Sequence, residues 1–304
     1  MNYILEANKL CKKYGRNTVL NELDLHVPKG AIYGLIGRNG AGKTTFMRLV
    51  AGLIRSNGGD CKLMEVSINS KQINDIRRKM STIIEVPAFY PDITVRENVI
   101  EMCRLREVED YSIADEYLKL VSLDKDAGKR ASKLSLGMKQ RLGIAMAMVG
   151  NPEIILLDEP MNGLDPQGII DIRNIILDLN KNRNITFVIS SHLLDELSKV
   201  ATHYGFISDG RLIREISAEE IKKDGNTTTT VVTPDTVKLA VLLDSMKLQY
   251  EIKSSSEAVV FAQLDLEEFM PQAKEAGIEI NSLTVNSESL ENVYLNTMGN
   301  KENC

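Results

Sequence analysis

The sequence predicts an α/β fold with a phosphate-binding P-loop core and a helical subdomain, followed by a small α+β C-terminal domain. Three observations lead to this prediction. The segment from Gly37 to Thr44 has the spacing G-x-x-x-x-G-K-T and lies between an apolar run and a helical pattern. Two later apolar runs, 154–157 and 185–189, are continuous, as in parallel strands that are buried on both faces. The composition then changes near residue 218.

The length and charge support one larger and one smaller domain. The chain has 304 residues, 43% of them apolar, and a net charge of −5, so no basic footprint predicts a nucleic-acid partner. Residues 219–304 carry fifteen acidic and seven basic residues, and no arginine follows Arg214. We therefore expect one domain over residues 1–218 and an accessory domain over residues 219–304.

The cysteines and the hydropathy pattern limit where the chain could act. The four cysteines are far apart in sequence, which excludes a small disulfide framework and zinc-ligand spacing and favours a reduced, cytosolic setting. The N-terminus lacks the pattern of a signal peptide. No stretch approaches ~20 uncharged apolar residues, so any role at a membrane requires a partner.

The glycine-rich segment has the context that a phosphate-binding loop requires. The apolar run 31–36 reads as a strand and residues 45–50 read as a helix. Glycines let successive N–H groups face one anion, and the helix N-terminus adds its positive dipole end. Lys43 would bridge the β- and γ-phosphates, and the Thr44 hydroxyl would bind magnesium. The alternative is a glycine-rich turn with a solvated lysine, and the motif alone indicates a nucleoside triphosphate without indicating its use.

The flanking segments supply a candidate aromatic contact and a helical insertion. Strands are predicted over 3–10 and 19–27, with Tyr14 in the loop between them, either stacked on an adenine ring or simply a half-buried aromatic. Two prolines make 85–91 a loop. Thr94 and Glu97 form a capping-box pattern, and residues 95–150 are mostly helical. The predicted helical subdomain covers about 88–150.

Three further segments have features of an active site. Ser135 is predicted to cap a helix whose N-terminus, with the Gly137 N–H, would form a second anion site. The strand before Asp158 and Glu159 places both carboxylates at the edge where open α/β sheets bind ligands. Asp158 would hold magnesium and Glu159 would act as the general base, the alternative being an acidic strand end in solvent. His192 follows the next apolar strand, where it is either structural or a γ-phosphate sensor.

Taken in order, these motifs resemble the ATP-binding subunit of an ABC transporter, a P-loop NTPase, over roughly residues 3–217. The residues that carry the resemblance are Lys43-Thr44, Leu134-Ser135-x-Gly137, Asp158-Glu159-Pro160, Leu164-Asp165 and His192. The resemblance implies ATP and Mg²⁺ as cofactors, and catalytic roles for Glu159, His192 and Lys43. It implies nucleotide contacts from Tyr14, Gly37, Asn39, Gly40, Ala41, Gly42, Lys43, Thr44, Thr45, Ser135 and Gly137, and metal contacts from Thr44, Glu85 and Asp158.

Two departures from the family pattern refine the resemblance. The signature loop usually reads Leu-Ser-Gly-Gly-Gln, whereas Leu136 and Met138 stand here for the first glycine and the glutamine. Glu85 stands where a glutamine usually opens the loop that contacts magnesium. With these residues the chain resembles the branch that exports bacitracin or lantibiotics and confers resistance or immunity.

The resemblance also implies partners and a place in the cell. Two such domains close head to tail, so Ser135 and Gly137 of one complete the site that contains Lys43 of the other. A second ATP-binding subunit, with a homodimer expected, and a polytopic permease would hold the chain peripherally at the cytoplasmic face of the membrane. The alternative is a soluble ABC ATPase acting on ribosomes or nucleic acid; a nucleotide kinase sharing only the P-loop would lack the Ser135 and His192 motifs.

The C-terminal pattern reads strand 228–232, helix 235–246, strands 248–252 and 259–264, helix 266–276, strand 278–285 and a last helix 289–298. This is the β-α-β-β-α-β order of a ferredoxin-like fold. A linker is predicted over 224–230. No phosphate loop, metal cluster or nucleophile pattern is present, so we expect a packing or dimer-supporting domain, with a ligand sensor as the alternative.

Overall fold

The computed structural model describes residues 2–224, 228–262, 264–286 and 290–299. These residues form two compact units, Met1–Ala218 and Glu219–Cys304, and each is described by itself. Within the described residues, no helix combines the length and the apolarity that crossing a bilayer requires.

The first unit contains a six-stranded sheet that positions the candidate site. Its strands, in the spatial order β10-β9-β3-β8-β7-β6, are all parallel except β10, which pairs antiparallel to β9 at one edge. Their ranges are β3 Ile32–Ile36, β6 Met80–Ile83, β7 Ile154–Asp158, β8 Thr186–Ser191, β9 His203–Ser208 and β10 Arg211–Ser217. Every residue of β3, β7 and β8 is buried, as predicted for central strands. The carboxyl ends of these three neighbours therefore meet at one edge.

A second, antiparallel sheet has the order β2-β1-β4-β5. Its strands are β1 Tyr3–Tyr14, β2 Asn17–Pro28, β4 Gly58–Leu63 and β5 Val66–Ser67. One hydrophobic core joins both sheets through helix α1 Lys43–Val50, which contributes Phe46 and Met47.

The position predicted for Tyr14, in a loop between two shorter strands, is wrong. Tyr14 ends β1 and pairs with Asn17, because a tight turn with Gly15 at φ 59° lets the ladder continue almost to the chain reversal.

Helices connect the strands of the first unit. Their ranges are α2 Ile73–Arg77, α3 Val95–Leu105, α4 Ile113–Leu120, α5 Leu136–Ala147, α6 Pro166–Arg183 and α7 Leu194–Ser198, with short 3₁₀ turns at Asp124–Asp126 and Ala131–Lys133. The capping box at α3 is confirmed: the Glu97 N–H donates to Thr94 Oγ1 at 3.1 Å, and the Thr94 N–H donates to Glu97 Oε2 at 2.7 Å. Helix α6 ends at Arg183, and its C-cap Asn184 has φ 53°.

The second unit has the predicted β-α-β-β-α-β order. Its elements are β11 Thr228–Val232, α9 Thr236–Ser245, β12 Tyr250–Ser254, β13 Glu257–Val260, α10 Leu266–Glu275 and β14 Ser282–Asn286, followed by α11 Leu290–Gly299. The sheet is antiparallel in the order β12-β13-β11-β14, so β11 lies between β13 and β14. Leu239, Leu243 and Phe269 of the two central helices pack on Val231 and Val260 of the sheet.

The predicted linker over 224–230 is wrong in part. Residues 228–230 are the first half of β11, where they pair with both neighbouring strands, and residues 225–227 lie outside the described residues. A helix that the sequence did not predict, α8 Ala218–Asp224, precedes them. Strands β13 and β14 also differ from the predicted ranges, since cross-strand pairing and not local composition sets their ends.

Candidate nucleotide-binding site

The glycine-rich loop connects the buried strand β3 to the N-terminus of α1. Gly42 caps the helix with φ 111°, a conformation that residues with a Cβ rarely adopt. Gly37 passes so close to β9 that an added Cβ would lie 2.4 Å from the Ile207 carbonyl oxygen. Arg38, Asn39 and Gly40 are exposed, and the first N–H groups of α1 have no helical partners. The loop therefore presents backbone donors and a helix dipole to solvent, as an anion site requires.

Lys43 lies under this loop. Its side chain is only 6% exposed, and Nζ donates a hydrogen bond to the Gly37 carbonyl oxygen at 2.7 Å. Nζ also lies 3.5 Å from Glu159 Oε1, at the end of a different strand. A buried ammonium needs such partners, so the loop and the carboxylate hold the charge together.

Asp158 ends β7 and is 4% exposed. Its Oδ2 accepts a hydrogen bond from Thr44 Oγ1 at 2.7 Å, and its Oδ1 accepts one from Ser190 Oγ. The parallel register of β7 and β8 pairs Asp158 with Ser190, which explains the second contact. Thr44 and Asp158 thus bring a hydroxyl and a carboxylate oxygen together beside the loop, as the sequence predicted for a magnesium site.

Glu159 connects the loop to His192. Its Oε2 lies 2.8 Å from His192 Nδ1, and its N–H donates to the Ser190 carbonyl oxygen at 3.1 Å. Glu159 has φ 49°, in the left-handed region that is uncommon for residues with a Cβ and often marks functional turns. The carboxylate is 22% exposed, so it is shielded on most sides and still reaches solvent. His192 is therefore the direct partner of the predicted base.

The other predicted residues contact groups outside this cluster in the described chain. Tyr14 is 46% exposed, with Lys12 Nζ 5.0 Å from its ring centroid. Ser135 Oγ accepts the Met138 N–H at 3.3 Å, which confirms the predicted cap of α5. Gly137 faces Gly168 at the start of α6, where an added Cβ would lie 3.8 Å from the Gly168 Cα. Glu85 forms an ion pair with Arg48 of α1, so its carboxylate is directed to the guanidinium and not to Thr44 or Asp158.

Sequence reasoning assigned no role to Ser190, although this residue contacts both carboxylate-bearing residues. The available signal was a polar residue at the end of an apolar strand, one position before Ser191-His192. That signal becomes specific only once the register of β7 and β8 is known.

The comparisons with known proteins agree with this geometry. The family model described as ABC transporter matches residues 20–162. The chain is 36% identical over 302 residues to the bacitracin transport ATP-binding protein BcrA of Bacillus licheniformis, a match that covers 98% of each chain. The chain belongs to the ATP-binding subunits of ABC transporters. It is accordingly an ATPase that binds ATP.

Other relatives have the same type of domain. A lantibiotic transport ATP-binding protein, SrtF of Streptococcus pyogenes, is 37% identical over 212 residues, covering 70% of this chain and 90% of the relative. Among solved structures, a post-hydrolysis dimer of the ATP-binding cassette MJ0796 bound to ADP and Pi has a TM-score of 0.63 at 25% identity, covering 70% of this chain and 98% of that one. A nucleotide-free ATP-binding cassette gives a TM-score of 0.65, also at 25% identity, covering 73% and 94%.

Proposed function

We propose that this ABC subunit powers a membrane exporter of antimicrobial peptides of the bacitracin or lantibiotic type and so contributes to resistance or immunity. The observation that carries the proposal is the similarity to BcrA, which extends over 98% of both chains and therefore includes the C-terminal unit. The similarity to SrtF, over 70% of this chain, supports the same class of cargo. No observation favours a soluble ATPase acting on ribosomes or nucleic acid.

The first role of the site is to bind the triphosphate. The backbone N–H groups of Gly37, Asn39, Gly40, Ala41 and Gly42 and the first turn of α1, with Lys43, Thr44 and Thr45, hold the phosphates. Lys43 then exchanges the Gly37 carbonyl for phosphate oxygens. Tyr14, exposed at the end of β1, stacks on the adenine ring. Ser135 and Gly137 contact the nucleotide bound to a second subunit.

The oxygen donors at the loop fit Mg²⁺. Thr44 Oγ1 and Asp158 Oδ2 are 2.7 Å apart, and both are hard oxygen ligands. Among the described residues, no group of three or more His, Cys, Asp and Glu side chains lies together as a metal cage. A site with few protein ligands suits Mg²⁺, which keeps waters and takes phosphate oxygens. When bound, the ion neutralises phosphate charge. Glu85 can join Thr44 and Asp158 as a magnesium ligand only if its carboxylate leaves Arg48.

Glu159 acts on the attacking water. Its carboxylate is held by Lys43 on one oxygen and by His192 on the other, so it is fixed at the mouth of the loop. There it orients the water and accepts its proton as the water oxygen bonds to the γ-phosphorus. The bond from that phosphorus to the β–γ bridging oxygen breaks in the same displacement, and ADP leaves. The His192 Nδ1–H keeps the carboxylate oriented. A second hydrogen bond, from Nε2 to the γ-phosphate, requires the imidazolium form, in which both ring nitrogens carry a proton. Loss of the γ-phosphate then removes a partner of Lys43 and His192, which couples hydrolysis to opening.

The proposal includes two kinds of partner. A second ATP-binding subunit, most simply another copy of this chain, supplies Ser135 and Gly137 across the interface. A polytopic permease holds the pair at the cytoplasmic face of the membrane and carries the peptide. We infer that residues 1–218 form the ATP-binding domain, that residues 88–150 form its helical subdomain, and that residues 219–304 support packing or dimer formation.

The nucleotide chemistry is tested with Glu159→Gln. This change keeps a polar side chain of similar size and removes the proton acceptor, so we expect ATP binding to persist and turnover to fall by roughly 10²-fold or more. The matched control is Glu153→Gln, a carboxylate beside the opposite end of β7, which should keep the parental turnover. Lys43→Ala should in contrast weaken nucleotide binding. Parental turnover in Glu159→Gln would exclude Glu159 as the base.

The transport role is tested by co-purification from membranes with a tag on the chain. A polytopic membrane protein in the eluate, with ATP hydrolysis stimulated by bacitracin or a lantibiotic, supports the exporter and its cargo class. Glu159→Gln should bring down the same partner without hydrolysis, which controls for contaminating ATPases. A permease without peptide stimulation would contradict the cargo, and ribosomes or nucleic acid in its place would contradict the exporter.

A further inference from the structure

Ser190 occupies a position that joins the two functional carboxylate residues. It is the next-to-last residue of β8 and is completely buried. Its hydroxyl donates to Asp158 Oδ1, and the same hydroxyl oxygen accepts the Glu159 N–H at 3.1 Å. Its carbonyl oxygen also accepts that N–H at 3.1 Å. A serine hydroxyl has one proton and two lone pairs, so it can make both of its bonds at once.

From these contacts we propose that Ser190 is a positioning residue for the magnesium ligand and the general base together. The proposal rests on the function assigned above to Asp158 and Glu159. The proposal adds Ser190, on the neighbouring strand β8, which acts on the reacting atoms only through Asp158 and Glu159.

The first effect concerns the orientation of Asp158. Thr44 holds Oδ2 and Ser190 holds Oδ1, so the carboxylate plane is fixed from both sides. Without the Ser190 hydroxyl, Oδ1 loses its donor in a buried site and the side chain gains freedom to rotate. Partners that orient a metal-ligating side chain in this way commonly contribute about 10- to 100-fold in metal affinity or activity.

The second effect concerns the turn at Glu159. The left-handed backbone there is unfavourable for a residue with a Cβ and persists when neighbouring groups determine it. Ser190 supplies two acceptors to the N–H of this residue, from its hydroxyl and from its carbonyl oxygen. The hydroxyl therefore helps to fix the backbone from which the Glu159 carboxylate reaches Lys43 and His192.

The experiment measures how much magnesium strengthens nucleotide binding. A fluorescent non-hydrolysable ATP analogue is titrated into the full chain once with Mg²⁺ and once with EDTA, and the ratio of the two affinities is compared between variants. ATP turnover is measured beside it. Ser190→Ala removes the hydroxyl, and Ser190→Thr keeps it. Thr186→Val is the matched control, because Thr186 is buried at the other end of the same strand and its hydroxyl accepts the Gly30 N–H at 2.9 Å.

In Ser190→Ala we expect the magnesium-dependent gain in affinity to fall by about tenfold or more and turnover to fall with it, while affinity in EDTA stays parental. Ser190→Thr and Thr186→Val should keep the parental ratio. If Ser190→Ala does not fold, Ser190→Cys, which replaces the hydroxyl by a weak donor of similar size, should show the same selective loss.

Three results would overturn the proposal. One is an unchanged ratio in the folded Ala or Cys variant. Another is an equal loss in Ser190→Thr, which would assign the effect to packing and not to the hydroxyl. The third is an equal loss in Thr186→Val, which would make it a general consequence of removing a buried hydroxyl from this strand. Absence of any magnesium-dependent gain in the parent chain would instead refute the magnesium role proposed for Asp158, on which this proposal rests.

Discussion

At the scale of single residues, a buried tyrosine links the two sheets of the ATP-binding unit. The Tyr33 hydroxyl donates to Glu215 Oε1 at 2.6 Å. The backbone N–H of His26, on the other sheet, donates to the same oxygen at 2.8 Å. Burial, followed by the charge of Glu215, raises the pKa of Tyr33 well above its ordinary value. The phenol therefore stays protonated and remains a donor, which leaves the carboxylate satisfied between β2, β3 and β10.

This arrangement depends on a missing side chain at Gly205. An added Cβ there would lie 2.1 Å from the Tyr33 hydroxyl oxygen. We predict that Gly205→Ala displaces Tyr33, breaks its bond to Glu215 and lowers the free energy of unfolding by about 1–3 kcal/mol. Urea unfolding measures the change. Gly128→Ala is the control, because an added Cβ there meets nothing within 4 Å. Equal midpoints for both variants would show that the Tyr33 side chain can shift to accept the methyl group without loss of stability.

At the scale of elements, one carboxylate connects the beginnings of three strands of the six-stranded sheet. Glu153 immediately precedes β7, and its oxygens lie 2.8 Å from Lys29 Nζ and 3.2 Å from Lys79 Nζ. Lys29 lies between β2 and β3, and Lys79 immediately precedes β6. The hydrogen bond from Lys29, with a smaller contribution from Lys79, lowers the pKa of Glu153 below its ordinary value.

Because the pKa of Glu153 is lowered in the folded state, the contribution of its carboxylate to the free energy of unfolding depends on pH in a definite direction. The stabilisation is fully present above the ordinary glutamate pKa and is lost as pH falls through the lowered value. We predict that Glu153→Gln costs about 0.5–1 kcal/mol near pH 7, since partly exposed ion pairs contribute modestly. The difference from the parent should vanish in acid, where Glu153 is protonated.

Urea unfolding at neutral and acidic pH tests this prediction. Glu109→Gln serves as the control, because Glu109 is exposed and forms no ion pair within the described residues. If the difference in free energy of unfolding between Glu153→Gln and the parent is the same in acid as at neutral pH, it does not come from the charge of Glu153.

The elements differ in how well the sequence predicts them. Strands β7 and β8 could be predicted because burial on both faces leaves a continuous apolar run, and the start of α3 because a capping box is local. The full length of the β1–β2 hairpin could not be predicted, because residues 11–18 lack the apolar alternation that marks a strand, and backbone pairing across the turn at Gly15 forms the ladder there. The contact of Ser190 with Asp158 and the ion pair of Glu85 with Arg48 join residues 32 and 37 positions apart, so only the folded sheet brings them together.

At the scale of the whole molecule, the candidate site lies within one unit. Lys43, Thr44, Asp158, Glu159 and His192 all belong to Met1–Ala218, and the core that joins its two sheets contains residues of this unit alone. The C-terminal unit has a core of its own around Phe269. Within the described chain, Ser135 and Gly137, at the start of α5, form no hydrogen bond with the five site residues named above. This separation agrees with the proposal that they act on the nucleotide of a second subunit.

Separate cores predict that the ATP-binding unit does not need the C-terminal unit to bind nucleotide. A chain ending after Ala218 keeps β10, the edge strand whose Glu215 satisfies Tyr33, and keeps every residue proposed to contact ATP. We expect it to fold, to bind a non-hydrolysable ATP analogue with Mg²⁺ within about threefold of the full chain, and to lose that binding on Lys43→Ala. Circular dichroism establishes folding, and titration with the analogue measures affinity. A truncated chain that folds but does not bind nucleotide would show that residues 219–304 take part in the site, whereas normal binding with loss of dimer formation would assign them the supporting role proposed here.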